Sequence, residues 1–162
     1  PNKEATREIF EIYLHKDIPL DPDALLAESG DAEGLRQCFI DTITSFIWRT
    51  VPETEFVRVY LRNGGMETLY WRDLISGALI KSVVDRAKDS AIRRAIAEPD
   101  RAHGIRLDDL RDAVRQEYRE NEIFPKSDSL EDWLKLLDFE PDNVAAIKPV
   151  RDADRDRRKP VI

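Results

Sequence analysis

The hydrophobic period of the chain changes twice between residues 32 and 95, and that double switch restricts the fold more than any other feature. From about 32 to 49, Leu35, Phe39, Ile43, Phe46 and Ile47 recur at the spacing of one helical face. Pro52 breaks the pattern. Phe56–Leu61 then alternates, with Val57, Val59 and Leu61 on one side and Arg58 on the other. Asn63-Gly64-Gly65 offers the positive-φ residues that a hairpin needs, and Glu67–Trp71 reads as the return strand. From Ser76 the period returns to that of a helix, with Ile80, Val83, Val84, Ala87, Ala91, Ile92 and Ala95 on one face. A single hairpin set within a helical series predicts an α+β fold that is mainly helical.

The flanking segments extend this pattern. Residues 3–15 read as a helix in which Ile9, Ile12 and Tyr13 share one face, with Phe10 and Leu14 beside it. A short helix is expected around Asp23–Ala27, ended by Ser29-Gly30. Glu98-Pro99-Asp100 ends the long helix, and His103-Gly104 marks a turn. Leu107, Leu110, Val114 and Tyr118 give another helix, closed by Pro125. Ser129 and Asp132 have capping-box spacing for a short helix that buries Leu130, Trp133, Leu134 and Leu137. Val144–Ile147 is a candidate third strand able to pair with the hairpin. The expected divisions are 1–51, 52–75 for the hairpin, 76–121, 122–150 for the last helix and strand, and 151–162, a charged tail read as disordered.

Composition narrows the function classes. The 162 residues are 41% hydrophobic, enough for a core, and 36% charged. The net charge of −7 argues against a nucleic-acid binder. A single cysteine, Cys38, excludes an intrachain disulfide; its place in the apolar stripe reads as a buried structural thiol. No apolar run is long enough to span a bilayer and no signal peptide is visible, so a cytoplasmic location is expected. The sole methionine is Met66 and helix-like sequence follows Pro1 at once, which suggests a fragment whose parent extends upstream.

Self-sufficient catalysis is not visible. The chain has no Gly-x-x-x-x-Gly-Lys-Ser/Thr phosphate loop. His15 and His103 lack companions at metal-ligand spacing, so no metal site is expected. Asp108-Asp109 and Glu131-Asp132 suit the first turns of helices through the helix dipole. Three features remain, each with two readings. Ile9, Ile12 and Tyr13 are either ordinary core or an apolar and aromatic face for a ligand. Ser76-Gly77-Ala78 is either a helix cap with close helix packing or a bare helix start where a flat ring or phosphate lies near the backbone. The hairpin is either a small structural sheet or an interaction element.

The order of these features resembles the C-terminal lid of AAA-family ATPases. There, a helix of the form Arg-x-x-Ile-Phe/Leu-x-Ile-x-Leu is matched by Arg7, Ile9, Phe10, Ile12 and Leu14. A later helix opening Ser/Thr-Gly-Ala-x-Ile is matched by Ser76-Gly77-Ala78-Leu79-Ile80, and Ile-x-x-Asp-Asp-Leu by Ile105, Asp108, Asp109 and Leu110. A narrower resemblance is to bacterial proteasomal ATPases, the ring-forming unfoldases of the Pup–proteasome system, which carry a hairpin inside this lid. Their return strand, running into Ser-Gly-Ala, is similar to Leu69-Tyr70-Trp71-Arg72-Asp73-Leu74 here. Val83-Val84-Asp85-Arg86-Ala87-Lys88, Glu120-Asn121-Glu122, Pro125 and Asp132-Trp133 continue the likeness over most of residues 1–150.

The resemblance implies a lid-type helical bundle with an inserted hairpin and a small β-grasp-like C-terminal sheet. It implies that Gly77 and Ala78, then Tyr13 and Ile9, face the adenine and ribose of ATP or ADP, whose magnesium is held by a separate large domain. It implies a homo-hexameric parent acting on protein substrates with a proteasome-like protease core; the isolated fragment is expected to be a monomer or weak dimer without ATPase activity. Two departures stand out: the chain ends Lys159-Pro160-Val161-Ile162, without the Gln-Tyr-Leu tail by which actinobacterial relatives dock on the protease, and the strand after Asp132-Trp133 is short and diverged. The alternative is a β-grasp-like module, built of the hairpin, the helix from Ser76 and the strand near Val144, that docks a partner protein without touching nucleotide.

Overall fold

The structure, a computed structural model, describes residues 1–120, 134–135 and 137–150. The expected capping residues Ser129 and Asp132, with Pro125, Leu130, Trp133 and the tail from Arg151 to Lys159, lie outside the described residues. The chain forms two units, one from Pro1–Trp48 and Ile75–Glu120, the other from Arg49–Leu74 and Asn121–Ile162.

The first unit is helical: α1 (Lys3–Tyr13), α2 (Pro22–Ala27), α3 (Ala32–Trp48), α4 (Gly77–Ala97) and α5 (Leu107–Glu120). Side-chain caps fix four starts: Asn2 accepts the Ala5 N–H at 2.8 Å, Asp21 that of Ala24 at 3.2 Å, Asp31 that of Gly34 at 2.9 Å and Ser76 that of Leu79 at 3.2 Å. The stop after α2 falls where expected, with Ser29 and Gly30 at φ 55° and 80°. α1 and α5 each pack against both α3 and α4. Phe10, Leu14, Ile40, Ile43, Ile47, Ile80, Val83, Val84, Leu110 and Val114 are wholly buried between them.

Three expectations about this core need correction. On α1 the buried face is Thr6, Phe10 and Leu14, spaced four apart; Ile9 and Tyr13 are half-buried and Ile12 is 67% exposed. The stripe of α4 stops short of its end: Ala91 is buried, but Ile92 is 55% exposed and Ala95 is exposed. Cys38 is exposed as well. It lies about 100° round the helix from Phe39, and the buried arc of α3 is filled by Leu35, Phe39, Ile40 and Ile43.

The loop from α4 to α5 is held closely. Ile105 forms a parallel bridge with Leu20, through Ile105 N–H to Pro19 O and Asp21 N–H to Ile105 O, both 2.9 Å. Gly104 is buried under this bridge; a Cβ there would overlap the Leu20 carbonyl and stand 2.7 Å from Pro19 O. The turn expected at His103-Gly104 is therefore also a point of close backbone packing.

The second unit holds an antiparallel sheet of order β2-β1-β3, from β1 (Glu55–Leu61), β2 (Met66–Tyr70) and β3 (Val144–Pro149). Val57 and Val59 are wholly buried, as their alternation predicts. Val59 pairs with Glu67 on one side and Ile147 on the other, so the strand expected near Val144 does join the hairpin. In the turn only Gly64 has positive φ, at 86°; Asn63 closes it by accepting the Gly65 N–H at 2.8 Å. The return strand ends one residue early, because Trp71–Leu74 winds into a 3₁₀ turn in which Asp73 accepts the Tyr70 N–H at 2.8 Å.

Candidate functional site

The four residues singled out for ligand contact, Ile9, Tyr13, Gly77 and Ala78, all belong to the helical unit. Ile9 and Tyr13 stand four apart on α1, so they share a face that is not the buried one. Tyr13 ends α1, which packs against α4, and lies within electrostatic range of Lys81; the Lys81 ammonium is held above its ordinary pKa chiefly by Asp85, which accepts from it at 2.6 Å. Lys81 is one turn beyond Gly77 and Ala78. The fold thus packs α1 against α4, with Tyr13 at the end of α1 and Ile9 one turn further back.

The start of α4 separates the two readings of Ser76-Gly77-Ala78. The cap is formed by Ser76, whose Oγ takes the Leu79 N–H and whose carbonyl takes that of Ile80 at 3.0 Å. Gly77 has no part in it. Among the described residues, nothing beyond its chain neighbours and its own helix backbone lies within 4 Å of where a Gly77 Cβ would stand. Close packing therefore does not require the glycine, nor does a positive φ. Gly77 is half-buried, Ala78 is exposed, and helix geometry leaves their N–H groups without intrahelical acceptors. The arrangement is a helix start left open at Gly77 among the described residues, on the helix against which α1 packs. It suits a flat, partly apolar ring approached by backbone donors.

The chain matches the family model described as "ARC, AAA+ ATPase lid domain" over residues 1–161. It belongs to this lid family. An AAA ATPase forming ring-shaped complexes from Corynebacterium kroppenstedtii is 41% identical over 138 residues, 84% of this chain and 24% of the relative. Proteasome-associated ATPases from Beutenbergia cavernae and Acidimicrobium ferrooxidans are 36% and 38% identical, over 93% and 84% of this chain and 26% and 23% of theirs. The lid spans about a quarter of the length of these curated relatives.

Elsewhere in the lid, other singled-out groups have structural partners. Asp109, expected only to suit the dipole of α5, accepts both Nη groups of Arg94 at 2.6 Å and the Arg106 N–H at 2.8 Å. Arg94 also donates to Gly104 O at 2.9 Å, so one ion pair ties the end of α4 to the start of α5. Glu117 is buried on α5 and accepts from Ser82 and Arg86 of α4. His103 bonds Glu98 O at 2.8 Å. Among the described residues no three His, Cys, Asp or Glu side chains are grouped to hold a metal, and no helix is long and apolar enough to cross a membrane. The sheet unit carries a half-open depression of about 310 Å³ and mixed lining at the hairpin tip, bordered by Leu61, Asn63, Glu67, Phe139 and Asn143 among others.

Proposed function

We propose that this lid closes over the adenine and ribose of ATP in a hexameric AAA+ ATPase that unfolds cytoplasmic proteins for a proteasome-like protease. The observation that carries the nucleotide contact is the open space over Gly77, on the helix against which α1 packs. A glycine in the first turn of a helix costs conformational entropy, and nothing among the described residues requires it. A ligand lying against the backbone at that point would. Tyr13 and Ile9 would pack on the base, while Gly77 and Ala78 would meet the base and ribose through backbone.

The lid has no phosphate loop of its own. Phosphate, magnesium and the hydrolytic water belong to the ATPase domain of the whole protein, and the lid's part is to report their state. A rigid-body rotation of the lid against that domain would pass the nucleotide state to the next subunit. The names of the relatives, which describe ring-shaped complexes and association with a proteasome, support assembly and partner alike.

In the full-length protein, Gly77→Trp is expected to raise the KM for ATP by about tenfold or more, by filling the cleared volume. Unchanged ATPase kinetics would overturn the nucleotide contact and leave Ser76-Gly77-Ala78 as a helix start only.

The sheet unit supports a second role, docking of a partner protein on the hairpin. The depression at its tip is the observation in its favour. Alanine changes at Glu67 and Thr68 on β2 should then weaken partner binding and leave basal ATPase activity unaltered. Loss of ATPase activity with partner binding intact would rule the docking role out.

A further inference from the structure

Arg36 sits on the buried arc of α3, between Leu35 and the Phe39–Ile40 pair, and is 5% exposed. An arginine so enclosed carries a desolvation cost of several kcal/mol unless its donors are well met. Its two Nη groups are met by backbone of one short segment: Nη1 donates to His15 O at 2.9 Å and Nη2 to Lys16 O at 3.1 Å. Nε is buried without a hydrogen-bond partner among the described residues and is offset only by the charge of the Glu33 carboxylate 3.5 Å away. His15 and Lys16 follow directly on Tyr13 and Leu14, where α1 ends.

His15 and Lys16 lie just beyond the Leu14 C-cap, so a cation on their carbonyls also sits close to the negative end of the α1 dipole. α1 has no basic residue in its last turn. The cation comes instead from α3, across the fold, with a planar fork that fits two successive carbonyls. Leu14, wholly buried, anchors the same turn from the other side. The segment that directly follows Tyr13 and Leu14 is thereby tied to α3 by one guanidinium.

We infer that Arg36 is a positioning residue for nucleotide recognition: by clamping the His15 and Lys16 carbonyls it holds Tyr13 where the adenine ring packs. This rests on the proposed nucleotide contact. Arg36 touches no ligand itself. Its loss therefore acts on base recognition through Tyr13, and leaves the hydrolytic step, carried out elsewhere, unaffected at saturating ATP.

The test is steady-state kinetics of the full-length ATPase with ATP and with CTP. Arg36→Lys retains the charge and most of the stem but loses the fork. It is expected to raise the KM for ATP about tenfold, the equivalent of one charge-assisted hydrogen bond, with kcat within about twofold and the preference for ATP over CTP eroded. Arg36→Met, which loses the charge too, should go further in the same direction. Ile43→Val, a small cavity in the same helix, controls for destabilisation and should preserve the preference. If Arg36→Lys retains both the KM and the base preference while Gly77→Trp raises the KM, the positioning role is wrong and the nucleotide contact stands. If Gly77→Trp is also silent, the nucleotide contact itself fails. A loss of preference equal in Ile43→Val and Arg36→Lys would reduce Arg36 to a stability residue and overturn the inference.

Discussion

At the scale of single residues, two glycines of the lid have opposite reasons to be glycine. Gly104 is glycine because Leu20 and Pro19 backbone occupy the space of a side chain. Gly104→Ala should lower stability by about 1–3 kcal/mol, the usual cost of forcing extra volume into a packed site, read as a shift of the urea midpoint. Gly77 has open space and ordinary helical backbone. Gly77→Ala should therefore stabilise the isolated lid by up to about 0.5 kcal/mol through helix propensity, read as a small rise in Tm. A drop in Tm would mean that an unseen contact already fills that space. The pair of substitutions separates a glycine that the packing requires from one that it does not.

At the scale of elements, α4 and α5 are joined at both ends by charge. Asp109 combines two tasks, holding Arg94 in a bidentate pair and capping the Arg106 N–H. Asp109→Ala should cost about 2–4 kcal/mol, combining a lost cap with a half-buried arginine left without its carboxylate. Asp109→Asn, which can still cap, should recover part of that loss in the same denaturation assay. On α4, hydrogen bonding from Lys81, reinforced by Lys88, holds the Asp85 carboxyl below its ordinary pKa. A depressed folded-state pKa contributes stability that is complete above the unfolded value near 3.9 and is lost as pH falls through the folded value. Asp85 is 44% exposed, so solvent screening limits the effect to less than about 0.5 kcal/mol. Tm measured from pH 6 to pH 2.5 should fall slightly more in the wild type than in Asp85→Asn, with the difference confined to the acid end.

At the scale of the whole molecule, the helical unit leaves Ile12, Leu26, Ile92 and Ile96 exposed, each more than half open. Scattered apolar side chains are ordinary on a monomer surface and do not by themselves make a stable interface. The isolated lid should therefore sediment as a monomer or weak dimer. A stable hexamer of the isolated lid would show that ring assembly is encoded here rather than in the ATPase domain.

The alternation of Val57 and Val59, the stripe of α3 and the stops at Ser29-Gly30 were legible in the sequence, because period and turn chemistry are local properties. So was the order of motifs that resembles an AAA lid. Which face of an amphipathic helix is core is not local. Phe10 and Leu14 went inward on α1, and Ile9, Ile12 and Tyr13 did not, because α3 and α4 pack on the side four residues apart from Thr6. Cys38 was misplaced for the same reason, lying one residue off the buried arc. Arg36 left a faint signal, a cation between Leu35 and Phe39, but its partners at His15 and Lys16 are twenty residues away and only the fold brings them to it. The sequence alone determined the elements, their order and the small residues that clear the start of α4. The tertiary structure decided which of those residues need their smallness for packing and which do not, since an empty volume is defined by the atoms that fail to fill it.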